Sequence, residues 1–503
     1  MPLISRAVDV TRRRPGAVLA WVLGLHVAVW AAVPILVCHN LQLDLVEGLA
    51  LGKEWQLGYW KHPPLPWWLS EALYRVTGQI DSVYVLGPLC AVVCLYFVWR
   101  FARTLVDPML ALVAVLALEG LHFFNFSAVK FDHDQMQLPF WALTAWFSYR
   151  AIVNKRALDW ILAGVFLALA FWAKYAAFAL AATIGLILLF DPDARGAWRT
   201  RGPWLMALAF LLVLGPNLWW LVDTGFQPFV YVDERAVVAA HWYQYVTFPL
   251  LWTVSQVFFL APTIVLLAIL YGGRMPRRRE SGSSTFARRY VTAFALGPFL
   301  VTTAVAGVLG RMPVAMWGYP LWSFAPLAFL MWFAPAPEPR NLRLAAVAFA
   351  LWFAALPAVY AGYEVFAPVF SHRLKATDFP GRALAETVTS RWHAATGTRL
   401  RYVGGAPLQG GAGEFAANNV AVYSPDHPHV MVHGDPKLSP WIDMADFDRA
   451  GGVLVWQSDE AMPAELRARF PSAELQPPLV LPPQTLVPRD PVTVRFAIVP
   501  PRR

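Results

Sequence analysis

Charged residues and cysteines are both scarce in this chain. Only 15% of its 503 residues are charged, 58% are hydrophobic, and the mean hydropathy is +0.47. These values exclude an ordinary soluble globular protein. The 3 cysteines exclude a disulfide framework. Cys90 and Cys94, four residues apart in one apolar stretch, are predicted to be packing residues.

Nucleotide-binding motifs are also missing. The sequence has no P-loop, and the glycine-rich stretch 404–415 lacks the spacing of a dinucleotide fingerprint, so we interpret it as a surface loop. The net charge of +9 does not indicate a nucleic-acid partner, because in a membrane protein the distribution of charge between loops matters more than its sum. We predict no nucleic-acid partner.

Long apolar runs recur throughout the first 360 positions. A membrane-spanning helix needs about 20 mostly apolar residues. The pattern therefore predicts an all-α polytopic membrane domain with about eleven transmembrane helices, two of which are separated only at Lys174-Tyr175. The predicted spans are 17–37, 83–102, 109–126, 136–152, 158–174, 176–190, 204–221, 248–271, 291–309, 313–333 and 342–361.

Basic residues are distributed unequally between alternate loops. With the N-terminus in the cytoplasm, the inside loops hold most of the arginines, as the positive-inside rule requires. The first apolar run follows Arg12, Arg13 and Arg14 and has no convincing cleavage site after it, so we predict an uncleaved first span. This orientation predicts that the loop at Asp44 and the C-terminal region lie outside the cytoplasm.

The pattern changes beyond about residue 366, where charges are spread and short β-like runs alternate with helical ones. Such alternation predicts a small α/β domain. We expect a transmembrane domain over 1–365 and a soluble extracytoplasmic α/β domain over 366–503. The predicted strands are 399–405, 419–424, 429–434, 451–457 and 492–500, and the predicted helices are 379–396 and 459–470.

The stretch 44–69, DLVEGLALGKEWQLGYWKHPPLPWWL, combines charge, aromatic residues and prolines directly after the first span. Its tryptophans favour the membrane–water boundary. Asp44 and Glu47 are three residues apart, so on a helix their carboxylates share a face. An ordinary polar loop explains Asp44 about as well, but a carboxylate in a polar cleft could serve as a general base.

Two further groups of polar residues are predicted on the same outer face. In Lys61-His62-Pro63-Pro64, the prolines restrict the backbone and so restrict where Lys61 and His62 point. This corner could bind a phosphate, or it could simply be a loop that enters an interfacial helix.

The stretch 130–135, KFDHDQ, contains Lys130, Asp132, His133 and Asp134. Carboxylates and imidazole can hold a divalent cation. Three adjacent side chains cannot all converge from a regular helix or strand, so we favour a polar cluster that orients Lys130 or a sugar. We assign no metal and no certain cofactor, and leave a divalent metal open.

Lys174, Arg235 and Arg311 are isolated cations predicted on this face. Each could extend to lipid headgroups, or together they could neutralise a phosphate leaving group. A polytopic lipid or solute transporter is the alternative function. It would need polar residues near the bilayer midplane, whereas the strong polar clusters here are predicted at one face.

The order of these pieces resembles the polyprenol-phosphate-sugar-dependent glycosyltransferases of the GT-C class. The similarity is greatest to the protein O-mannosyltransferase-like family 39 and to the lipid A aminoarabinose transferases. It covers about residues 1–335. The segments that carry it are an outer-loop Asp44, HPPL (62–65), KFDHDQMQLPFWAL (130–143), AKYAAF (173–178) and RMPVAMWGYPLW (311–322).

The resemblance implies an inverting hexosyl- or pentosyl-type transferase with a polyprenyl-phosphate sugar donor. It implies that Asp44 activates the acceptor while cations hold the departing polyprenyl phosphate. The family's frequent adjacent Asp-Glu pair is absent, so Glu47 is given a supporting role. The donor and phosphate residues are expected to be Lys61, His62, Lys130, Lys174 and Arg311.

The resemblance also implies partners and a location. The expected acceptor is an extracytoplasmic lipid, glycan or protein, and membrane lipids surround the chain. The expected location is the bacterial inner (plasma) membrane, with a cytoplasmic N-terminus and a periplasmic or extracellular C-terminal domain.

Overall fold

The chain forms two compact units, seen in a computed structural model that describes residues 11–278, 281–335, 338–371, 373–406, 412–457, 462–485 and 488–502. The first unit comprises the described residues within 1–32, 61–65 and 84–359. The second comprises those within 33–60, 66–83 and 360–503. The predicted domain boundary near residue 365 stays a prediction.

Helices account for most of the described structure. The 18 helices labelled along the described ranges are, in chain order, α1 (Pro15–Val37), α2 (Leu43–Gly52), α3 (Leu65–Thr77), α4 (Leu86–Ala102), α5 (Pro108–Leu118), α6 (His133–Asn154), α7 (Ala157–Ala173), α8 (Phe178–Phe190), α9 (Gly202–Asp223), α10 (Gln227–Arg235), α11 (Gln244–Leu270), α12 (Thr285–Leu309), α13 (Ala325–Trp332), α14 (Pro339–Phe370), α15 (Gly381–Thr396), α16 (Ala412–Tyr423), α17 (Met444–Ala450) and α18 (Ala464–Arg469).

Several of these helices are long and apolar enough to cross a membrane. Among the described residues, 6 helical stretches meet this test, and 7 do so if α5 and the turns over His122–Lys130, bent by 86°, form one span. The helices α7 and α8 are apolar but shorter. The chain is thus a multi-pass helical membrane protein, while the count of eleven spans stays a prediction. The six are α1, Ile80–Ala102, α9, α11, α12 and α14.

The predicted division at Lys174 agrees with a real break in the helix. Lys174 has an extended backbone (φ −161°, ψ 133°) between α7 and a short turn at Tyr175–Ala177 that leads into α8. The structure differs over the tenth predicted span, 313–333, where α-helix is present only in α13. Proline side chains prevent a continuous helix there, since Pro313, Pro320 and Pro326 interrupt the run.

The second unit contains a mixed sheet. Its strands are β3 (Tyr402–Gly404), β4 (His429–Met431), β5 (Gly452–Trp456), β6 (Glu474–Leu475), β7 (Leu479–Leu481) and β8 (Val492–Val499), after β1 (Val237–Val238) and β2 (Arg311–Met312), which pair in the first unit. The order is β4-β3-β5-β8-β6, and β7 also pairs with β8. Strands β3, β4 and β5 are parallel, and α16 and α17 connect them. Parallel neighbouring strands need such crossover connections.

The prediction of a strand over 419–424 is wrong, because this stretch lies in α16. Every residue from Phe415 to Val422 is buried. A short apolar run buried on all sides has no alternation that separates strand from helix. The glycine-rich stretch 404–415 and the start of the predicted helix 459–470 lie partly outside the described residues; α18 covers the rest of that helix.

Candidate functional site

His62 lies at the centre of a polar cluster in the first unit. Its ring centroid is 4.1 Å from that of His133, and His133 Nε2 lies 3.0 Å from the carbonyl oxygen of Pro63, to which it donates. The Tyr231 ring, on α10, meets His62 edge-on at 6.0 Å. We call this group the histidine–lysine cluster; its members are Lys61, His62, His133, Asp134, Lys174, Tyr231 and Arg235.

Tyr231 contacts two cations of this cluster. The Lys61 Nζ lies 5.9 Å from its ring centroid, and the Arg235 guanidinium lies at the same distance of 5.9 Å. Arg235 also donates a hydrogen bond of 2.7 Å to the Tyr231 hydroxyl. One phenol ring therefore contacts Lys61, His62 and Arg235, and its electron-rich face favours the positive charges.

Lys174 is held by a buried ion pair. Its Nζ lies 2.6 Å from Asp134 Oδ1, and the two side chains are 12% and 10% exposed. Lys174 reaches this position because α7 ends just before it, and Asp134 belongs to the first turn of α6. Gln137 Nε2 donates to the same Asp134 oxygen at 3.1 Å. The lysine is thereby oriented by a carboxylate.

The cations of the cluster act on His62. Burial, followed by the nearby His133, Lys174, Lys61 and Arg235, holds the pKa of His62 well below its usual value. The imidazole is therefore neutral and offers a hydrogen bond rather than a charge. A neutral donor among several cations is the arrangement expected of a site for an anionic oxygen group.

Asp132 has a structural task. Its Oδ1 accepts hydrogen bonds from the backbone N–H groups of Asp134 (2.8 Å) and Gln135 (2.9 Å), which caps the first turn of α6. Asp132, His133 and Asp134 thus use different partners. Within the described ranges, no group of three or more His, Cys, Asp or Glu side chains is arranged to hold a metal ion.

Two predicted cations have other surroundings. Lys130 ends the short helical turn Ala128–Lys130 and is half-buried. Arg311, in β2, forms an ion pair with Asp233 and donates to the Asp233 carbonyl oxygen at 3.2 Å. Since Asp233 belongs to α10, Arg311 ties down the helix that carries Tyr231.

Asp44 and Glu47 lie in the second unit, both on α2. Asp44 is the second residue of the helix and is half-buried, whereas Glu47 is only 7% exposed. A carboxylate in the first turn is stabilised by the positive end of the helix dipole. The predicted shared face of the two acids is confirmed by the helical path of residues 43–52.

The loop after α2 makes contacts that the sequence did not predict. Lys53 Nζ donates to the carbonyl oxygens of His427 (3.2 Å) and Pro428. Burial lowers the pKa of Lys53 to about 8, although the neighbouring Glu54 acts in the opposite direction. The Nδ1 of His429 lies 3.0 Å from both carboxylate oxygens of Glu54. This loop is therefore fastened to the C-terminal part of the second unit.

A shallow cavity of about 340 Å³ also lies in the second unit. It is lined by one face of α15 and by the residues that end α16. None of its residues was predicted to belong to the site. They are Arg382, Glu386, Thr389, Ser390, His393, Tyr423 and Pro425.

The sequence reasoning missed Tyr231. It lies in a segment rich in aromatic residues, which an interfacial belt explains equally well. The available signal was the four-residue spacing from Tyr231 to Arg235, which puts the phenol and the guanidinium on one helical face. The structure brings together Lys61, His62, His133 and Lys174 as one group.

Comparisons with known proteins find similar sequences over part of the chain. Residues 61–220 match the profile of a family described as dolichyl-phosphate-mannose-protein mannosyltransferase. The chain is 30% identical over 172 residues to the lipid A galacturonosyltransferase RgtD of Rhizobium johnstonii, covering 33% of this chain and 35% of that relative. It is 27% identical over 226 residues to the lipopolysaccharide core galacturonosyltransferase RgtA of the same organism, covering 44% of each. Each match spans less than half of the relative.

The fold is similar to that of ArnT from Cupriavidus metallidurans. The structure bound to undecaprenyl phosphate aligns with a TM-score of 0.60 over 95% of this chain and 98% of ArnT, at 12% identity. The apo structure gives the same TM-score of 0.60, at 11% identity. The chain therefore shares the fold of ArnT over almost its whole length, and residues 61–220 are similar to the protein mannosyltransferase family.

Proposed function

We propose that the chain is an integral membrane glycosyltransferase that moves a sugar from a polyprenyl-phosphate-linked donor to an extracytoplasmic lipid, glycan or protein. The observation that carries the proposal is the histidine–lysine cluster. Its members Lys61, His62, His133 and Lys174 all lie within the matched range 61–220. The relatives named for galacturonosyl transfer, and the ArnT crystallised with undecaprenyl phosphate, support the same class of donor and acceptor.

The cluster would bind the donor phosphate. Lys61, Lys174 and Arg235 supply positive charge, and the neutral His62 supplies a hydrogen bond. Such groups stabilise the charge that develops on a departing phosphate, and they do so most strongly where water is excluded. Asp134 would keep Lys174 in place before the donor arrives. In this proposal Arg311 acts through α10, and Lys130 borders the donor site.

Asp44 would act as the general base. Its carboxylate would accept the proton of the acceptor hydroxyl as the hydroxyl oxygen bonds to the anomeric carbon. The bond from that carbon to the phosphate oxygen breaks, and polyprenyl phosphate leaves with the bonding electrons. Attack opposite the leaving group inverts the anomeric centre. Glu47, buried three residues further along α2, would be the supporting acid.

The proposal includes the setting of the chain. The transmembrane domain would extend over 1–365 and the extracytoplasmic domain over 366–503, with the N-terminus in the cytoplasm of a bacterium. The transferred sugar would be a hexose or pentose. No metal is assigned to this chemistry.

The test combines genetics with reconstitution. Mass spectrometry of envelope glycolipids with and without the gene identifies the sugar that disappears and the molecule that loses it. Purified protein in liposomes is then assayed with that sugar on undecaprenyl phosphate. We expect Asp44→Asn to lower turnover by about 10²–10⁴-fold, the usual contribution of general base catalysis, with unchanged folding and insertion.

Asp81→Asn is the matched control, since Asp81 belongs to the same unit and its side chain is 50% exposed. It should transfer sugar at the wild-type rate. Lys61→Ala and Lys174→Ala should weaken use of the donor. Wild-type transfer by Asp44→Asn would remove the base assignment. Movement of the lipid-linked sugar across the liposome membrane without any transfer would favour a transporter instead.

A further inference from the structure

Asn40, three residues before α2 begins, is held by buried hydrogen bonds. The side-chain nitrogen of Asn40 donates to the carbonyl oxygen of Ala376 at 3.0 Å and to Asn419 Oδ1 at 3.0 Å. The backbone N–H of Asn40 donates to the Thr377 carbonyl oxygen at 3.0 Å. Asn40 is 4% exposed and Asn419 is not exposed at all. All these residues belong to the second unit.

The next two residues are also fixed. The backbone N–H of Leu41 donates to the Tyr423 hydroxyl at 3.0 Å, and Gln42 Nε2 donates to the Tyr360 hydroxyl at 3.1 Å. Asn419 and Tyr423 are four residues apart on α16, so one face of that helix receives both Asn40 and Leu41. Three consecutive residues are therefore positioned from the C-terminal part of the chain.

Close packing limits the other movements of α2. An added Cβ at Gly52 would overlap the carbonyl oxygen of Trp67, and one at Gly48 would lie 3.2 Å from the Trp67 ring. The helix thus lies directly against α3 and has little room to slide. Its starting direction is set by the hydrogen bonds of residues 40–42, which end two residues before Asp44.

We propose that Asn419 and Tyr423 are positioning residues for Asp44. The inference rests on the proposed function, in which Asp44 is the base. Without the Tyr423 hydroxyl, the buried Leu41 N–H loses its acceptor. The cost of an unpaired buried donor then favours a rotation of the first turn of α2 toward another acceptor. A shift of about 1 Å in a reacting group is enough to cost about 10²-fold in rate.

The test compares Tyr423→Phe and Asn419→Ala with a matched control. Tyr402→Phe removes a hydroxyl in the same unit that donates to Asp446 and not to the segment 40–42. We expect kcat to fall by about 10–100-fold in Tyr423→Phe and Asn419→Ala, with the donor KM unchanged. Tyr402→Phe should keep the wild-type kcat. All rates are divided by the amount of folded protein, which removes losses due to misfolding.

A second measurement does not depend on activity. The Leu41 amide hydrogen should exchange slowly in the wild-type protein and in Tyr402→Phe, and at least 10-fold faster in Tyr423→Phe, because only that variant removes its acceptor. Unchanged exchange of the segment 40–46 in Tyr423→Phe would overturn the proposal.

Variants combined with Asp44→Asn distinguish the base assignment of Asp44 from the positioning role of Asn419 and Tyr423. If Asp44→Asn transfers sugar normally, the base assignment fails and the positioning role fails with it. If Asp44→Asn is inactive while Tyr423→Phe and Asn419→Ala keep the wild-type kcat, only the positioning role is refuted. Adding Tyr423→Phe to Asp44→Asn should not lower the residual rate further, and a further loss would show a general structural effect instead.

Discussion

Replacement of Asp134 by asparagine would leave Lys174 buried without its counter-charge. The pair is joined at 2.6 Å, with side chains 12% and 10% exposed. Removing one partner of a buried ion pair typically costs about 3–5 kcal/mol, because the other charge stays desolvated. We expect a loss of about 3 kcal/mol in the free energy of unfolding, the lower end of that range, since both side chains keep some exposure and the amide oxygen can still accept a hydrogen bond.

The double variant Asp134→Asn, Lys174→Met removes both charges. It should recover about 2 kcal/mol relative to the sum of the single variants, as expected for residues in direct contact. The pair Arg274–Glu338 is the control, because its side chains are 81% and 60% exposed and its atoms are 3.3 Å apart. Glu338→Gln should cost less than about 1 kcal/mol.

The assay is thermal or denaturant unfolding of the protein in lipid nanodiscs, combined with donor turnover in liposomes. The double variant should be stable yet slow, because it lacks the Lys174 charge proposed to bind phosphate. A cost for Asp134→Asn no larger than that for Glu338→Gln would refute the reasoning. Wild-type turnover by the double variant would refute the phosphate role of Lys174.

The remaining predictions concern pH and packing. Burial and nearby cations hold the pKa of His62 below the value of 6.5 for an unperturbed histidine. The unfolded chain then binds more protons than the folded one, and stability should fall as the pH drops through about 6.5. His62→Gln should remove that part of the slope, and an identical pH profile would contradict the assignment. Gly87→Ala should destabilise by about 1–3 kcal/mol, because its Cβ would overlap the carbonyl oxygen of Ala128. Gly24→Ala, whose Cβ meets no atom within 4 Å, should be nearly neutral, and equal melting temperatures for the two glycine variants would contradict the packing argument.

Local features of the chain could be predicted from the sequence. The unequal distribution of basic residues between alternate loops favoured a division of 158–190 at Lys174, and the structure has a helix break there. The expected donor group includes Lys61, His62 and Lys174, which the structure brings together. The other two expected members, Lys130 and Arg311, have different surroundings. The helix break could be predicted because a membrane environment constrains the length of apolar runs and the charge of loops.

Long-range contacts could not be predicted in the same way. The hydrogen bond between Asn40 and Asn419 joins residues 379 positions apart, and neither local pattern points to the other. The error over 419–424 has a different cause, since α16 is buried on all sides and so lacks an amphipathic period. Tyr231 was missed because an aromatic residue near a membrane has an ordinary explanation in the interfacial belt.

The contacts between residues 40–42 and α16 have a consequence for biosynthesis. Asn40 leaves the ribosome long before its partner Asn419, which lies 379 residues later. At about 5–20 residues per second, the wait is roughly 20–75 s. During that time, α2 lacks the helix that receives its leading residues. Until then, the polar groups of residues 40 and 41 lack their partners on α16 and are accessible to a chaperone or protease. A ribosome stalled before codon 419 would prolong this state.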